Sequence, residues 1–165
     1  AGGYLTGTIT SIFGETFTVT VGAGGSGGNQ LPTNGNNSVF GSLTAIGGGY
    51  GGSEAGPTPG ANGGSGGGGS GYSTPQQGGD GTAGQGFNGG KGAFPDINST
   101  YGSGGGGGGA GGNGSGGAGP GGNGVQITCF EAVDYYYGGG GGGASGSITG
   151  FILLPILMTS SICSF

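Results

Sequence analysis

The chain has 165 residues, of which 57 are glycine, with 4% charged residues, a formal net charge of −5 and no histidine. Average usage is about 7% glycine, and Leu, Ile, Val and Phe together fall below the roughly one-fifth of a chain that marks an ordinary core. One basic residue, Lys91, excludes phosphate-backbone binding, which takes Lys or Arg in number, and the missing histidine excludes imidazole catalysis and His metal sites.

Tyr4 to Phe13 is β-rich, with Thr6, Thr8, Thr10, Ile9 and Ile12. Phe17, Val19 and Val21 alternate with Thr16, Thr18 and Thr20 at period two, and Gly14-Glu15 supplies a turn between the runs, so a hairpin is predicted. A third strand is expected at Val39 to Ile46. A fourth runs from Val125 to Tyr137, where Val125, Ile127, Cys129, Glu131, Val133 and Tyr135 share one parity. A fifth covers Ser147 to Met158.

Glycine tracts separate these runs at 22–28, 47–52, 63–71, 78–92, 102–124 and 138–146. Turn chemistry at Pro57-Thr58-Pro59, Thr74-Pro75-Gln76-Gln77 and Phe94-Pro95-Asp96 punctuates them. A flexible linker would need no such punctuation. Collagen fails because blocks of six glycines break the triplet, and silk fails for want of Gly-Ala alternation. The expected fold class is therefore mainly irregular and β: a glycine-rich polyglycine-II helix bundle with flanking short β-strands. Such helices have no internal hydrogen bonds and must send N–H and C=O groups sideways. The expected organisation is a β-rich segment at 1–46, a polyglycine-II region at 47–124, and a β-rich segment with an apolar tail at 125–165.

Few motifs carry chemistry. Gly22-Ala23-Gly24-Gly25-Ser26-Gly27 matches GxGxxG, but a loop follows where a nucleotide site needs a helix. Lys91 lacks the next-door Ser or Thr of a phosphate-binding loop. The six carboxylates are scattered, and nothing selects a catalytic pair or a calcium loop. The expectation is no enzyme, no cofactor and no metal. Cys129 and Cys163 allow one disulfide or two thiols, and both readings stay open. Asn36, Asn98 and Asn113 begin glycosylation sequons, with chance occurrence as the competing reading. The opening Ala1-Gly2-Gly3-Tyr4 has neither a basic region nor an apolar stretch of signal-peptide type.

Aromatic residues mark the tract edges. Tyr50, Tyr72, Phe94 and Tyr101 either staple the tract margins or contact surface glycans. The most apolar run holds Phe151, Ile152, Leu153, Leu154, Ile156, Leu157 and Met158. It is shorter than the roughly 20 residues that span a bilayer, so no membrane span is expected and an assembly interface is.

The order TFTVTVGAGGSGG (16–28), NGNNSVFGSLTAIGGGYGG (34–52), GTAGQGFNGG (81–90), GGGGGGAGGNG (104–114) and YYYGGGGGG (135–143) resembles glycine-rich, polyglycine-II type virion and tail-fibre-associated proteins of tailed bacteriophages. The resemblance covers about residues 16–143, and the chain departs from it after Gly143. It implies a place on the virion surface or outside the cell, and no catalytic residues. The leading expectation is a non-enzymatic structural subunit that forms a homo-oligomer or filament. The alternative is a tail-fibre adhesin module that recognises host surface glycans. Ice binding is a third class, which irregular tract lengths disfavour.

Overall fold

The computed structural model describes residues 1–8, 10, 13–27, 32–53, 58–71, 74–94, 104–127 and 135–144. The regular elements are short strands: β1 (Val19–Thr20), β2 (Ser38–Phe40), β3 (Leu43–Ala45), β4 (Val125–Ile127) and β5 (Tyr135–Tyr137). β1, β2 and β3 form one antiparallel sheet in that order, and β4 and β5 form a second.

β2 and β3 pair Phe40 with Leu43 across a two-residue turn. Gly41 takes a φ of 57°, the positive value that the tight hairpin turns require at their first central position. The single strand expected over Val39 to Ile46 is thus folded back on itself. The same holds for the long strand expected from Val125 to Tyr137. Its two ends pair antiparallel, Val125 with Tyr137 and Ile127 with Tyr135. β1 takes β2 as its partner, Val19 opposite Phe40. The start of the chain pairs elsewhere than in the expected first hairpin: Gly3 N donates to the Ile46 carbonyl and Tyr4 N to the Gln85 carbonyl, both at 2.7 Å. The expected fifth strand lies outside the described residues.

The interior is made of main chain. Residues 63–71, GGSGGGGSG, are all buried, and among the described residues no hydrophobic side chain is. Buried peptide groups need partners. Here they come from other tracts: Gly64 N to Gly47 O at 2.8 Å, Gly66 N to Phe87 O at 3.0 Å, Gly69 N to Gly90 O at 2.9 Å. Bonds also arrive from outside, Gly79 N to Gly67 O and Gly108 N to Gly66 O, both at 2.8 Å. Tracts approach so closely that a Cβ on Gly68 would run into the Gly105 carbonyl.

The expected polyglycine-II helix bundle is not seen. Among the described residues there is no helix, only small antiparallel sheets within mostly irregular chain. The physical reason lies in the bonding. A regular rotation of partners holds along 104–110, where Gly104, Gly107 and Ala110 donate to Ala144, Gly141 and Gly138. In the central tract the partners change, with Gly64 donating to Gly47 but Gly67 to Ala61. Side-chain amides then replace main-chain partners, as where Asn37 Oδ1 accepts from Gly47 N and Gln85 Oε1 from Ile46 N. Short tracts with changing partners do not build a continuous helix array.

Candidate functional site

Since main chain fills the interior, the apolar side chains lie outside it. Phe13, Val19, Val21, Phe40, Phe87, Phe94 and Tyr135 to Tyr137 are all exposed, Val21 by 83% and Tyr136 by 64%. On the first sheet they gather on one face. β-branched and aromatic residues at period two place Phe17 over Phe40, ring centroids 5.7 Å apart, within the range of favourable aromatic pairs. Beside them Leu5, Val19, Val21, Phe40 and Leu43 border an open apolar hollow of about 240 Å³. The second sheet presents three adjacent exposed tyrosines, with Tyr136 Oη donating to Gln126 Oε1 at 3.4 Å.

A larger open groove, about 970 Å³, runs between the chain start, residues 24–27 and residues 48–53. Its walls are mostly glycine main chain, with Tyr50 and the hydroxyls of Ser26 and Thr33, which bond each other at 2.9 Å.

The third arrangement joins the tracts. Asn62 Oδ1 accepts from Asp80 N at 2.7 Å while the N–H of the next residue, Gly63, donates to Asp80 O at 3.1 Å. The pair grips one peptide residue from both sides. Asn113 and Gly114 grip Asn88 in the same way, at 3.0 and 2.9 Å. Asn88 and Gly89 take Gly81 N and Gly79 O, and Asn34 and Gly35 take Tyr50 N and Gly48 O. These four Asn-Gly clasps form a connected series, because Asn34 Nδ2 also donates to the Asn62 carbonyl at 2.9 Å and 79–81 is held by two clasps. The signal for them stands in the sequence, where Asn-Gly recurs at 34, 62, 88, 113 and 123. Read alone, an Asn-Gly pair signals only a tight turn.

The residues singled out from the sequence are dispersed. Tyr50 is half-buried in the groove wall, and Phe94, 62% exposed, is not among the residues that line it. Tyr72 and Tyr101 lie outside the described residues, as do Asn98, Cys129, Cys163 and all of 151–158. Asn36 is exposed. Asn113 is exposed too, with its Oδ1 engaged in a clasp. Among the described residues no group of three or more His, Cys, Asp or Glu could hold a metal ion. Nor is any helix there long and apolar enough to cross a membrane.

A buried glycine-serine tract, lateral hydrogen bonds and outward apolar side chains define a protein cored by its own backbone. A family model described as a glycine-rich domain matches residues 1–151, and the chain belongs to that family. The match bears on the glycine-rich part of the resemblance and carries no link to bacteriophages. No curated protein and no solved structure matches the chain.

Proposed function

We propose that the protein is a non-enzymatic structural subunit of an extracellular or virion appendage, which self-assembles into a homo-oligomer or filament. The observation that carries this reading is the inverted distribution of side chains. The interior takes glycine and serine, so the valines, phenylalanines and tyrosines of both sheets are left for contacts with other chains. Contiguous exposed apolar surface on a soluble domain marks an interaction site. The apolar run from Phe151 to Met158 is a second candidate for such contacts, read from the sequence alone.

The test is assembly of the full chain against a variant lacking 150–165, followed by light scattering and electron microscopy. Loss of filaments or oligomers supports the reading, and unchanged assembly overturns the role of the tail. Val21→Asp probes the exposed sheet face in the same assay.

A second reading rests on the groove. Tyr50 beside an open, main-chain-lined channel offers a ring face and hydrogen-bonding groups together, which suits a surface glycan. A glycan array with the native protein and Tyr50→Ala separates this adhesin reading from the first. Binding lost in the variant without an assembly defect favours it; no binding by the native protein removes it.

A further inference from the structure

Asn-Gly dipeptides are chemically reactive. The main-chain nitrogen of the glycine attacks the asparagine side-chain carbonyl carbon and expels ammonia, forming a five-membered succinimide. Water then opens the ring on either side, leaving aspartate or isoaspartate. Glycine favours the step because no Cβ obstructs the approach. The reaction needs a glycine N–H that can give up its proton and a side-chain amide free to swing onto it.

In four of the five dipeptides both parts are engaged. The N–H groups of Gly35, Gly63, Gly89 and Gly114 donate to main-chain carbonyls at 3.0, 3.1, 2.9 and 2.9 Å. The side-chain oxygens of Asn34, Asn62, Asn88 and Asn113 each accept a main-chain N–H, at 3.0, 2.7, 2.8 and 3.0 Å. The fifth pair differs. Asn123 is exposed and its side-chain amide has no hydrogen bond among the described residues, nor has the Gly124 N–H. Among the described residues, the one bond at this pair reaches the Asn123 carbonyl, from Gly111 N at 2.9 Å.

We propose that Asn123 is the site of spontaneous deamidation in this protein, and that the clasps shield the other four Asn-Gly pairs. The isoaspartate product would insert one extra main-chain carbon directly before β4, next to its pairing with β5. It would also add a negative charge to a chain already at −5. The proposal does not depend on the assembly reading.

The experiment ages the folded full chain in mildly alkaline buffer and maps deamidated peptides by mass spectrometry. Deamidation at Asn123 should proceed at least about tenfold faster than at Asn34, Asn62, Asn88 or Asn113, a factor within reach of one or two net hydrogen bonds. In denaturant the five rates should converge. Equal rates in the folded chain overturn the proposal. So does an Asn123 excess that persists unchanged in denaturant, since selectivity would then come from local sequence and not from the fold.

Discussion

Asn88 donates its main-chain N–H to the Oδ1 of Asn113 at 3.0 Å, and the Gly114 N–H returns to the Asn88 carbonyl at 2.9 Å. One side chain and one peptide group thus hold both main-chain polar groups of a residue 25 positions earlier. The oxygen alone carries the side-chain part. Asn113→Asp should therefore retain most of the stability, whereas Asn113→Ala should cost about 1 kcal/mol, a typical net hydrogen bond. Asn34 also donates through Nδ2 to the Asn62 carbonyl, so Asn34→Asp should cost clearly more than Asn113→Asp. Chemical denaturation of the set checks the ranking.

The clasps at Asn62 and Asn88 hold one stretch, residues 79–81, through Asp80 N and Gly81 N. Removing either leaves the other in place. The double variant Asn62→Ala/Asn88→Ala should be non-additive, with a coupling of at least roughly 0.5 kcal/mol, as for residues that share a partner. A double-mutant cycle in denaturant measures it.

Alanine should act oppositely at two glycines. At Gly68 a Cβ meets the Gly105 carbonyl, main chain that cannot swing aside, and Gly68→Ala should cost about 3 kcal/mol or more, at the upper end of overpacking. At Gly142 a Cβ meets nothing within 4 Å and φ is ordinary, so Gly142→Ala should stabilise by about 0.4–1 kcal/mol by restricting the unfolded chain. Thermal unfolding of both variants reads the contrast.

Two serines of the central tract make a further pair. Ser65, fully buried, donates from Oγ to the Gly2 carbonyl at 3.2 Å. Ser70 is 3% exposed and its Oγ has no partner among the described residues. Ser65→Ala should lower stability by about 1 kcal/mol and Ser70→Ala should raise it by a similar amount, because an unpaired buried hydroxyl is penalised and a paired one is not. Melting temperatures should move in opposite directions.

The legible parts of this fold were those with side chains to read. Period two at Phe17, Val19 and Val21 and the β-formers at 39–45 and 125–137 locate both sheets. The turn inside 39–46 was missed because Gly41 and Ser42 sit within an otherwise strand-like run. The Gly3 to Ile46 and Tyr4 to Gln85 bonds join segments far apart in sequence, and no local pattern reports them. Within the tracts, one glycine looks like any other, so which tract bonds which was not readable. The exposed sheet face could be read only in part, since Phe40 and Val21 look like core until the interior proves to be glycine.

The buried tract 63–71 also bears on calorimetry. Exposing apolar surface raises the heat capacity on unfolding, and exposing polar peptide lowers it. An interior of peptide groups should therefore unfold with a heat-capacity change well below the usual roughly 12–15 cal/mol/K per residue. Its stability curve would be broad and shallow, losing little on cooling, where proteins held by hydrocarbon burial weaken.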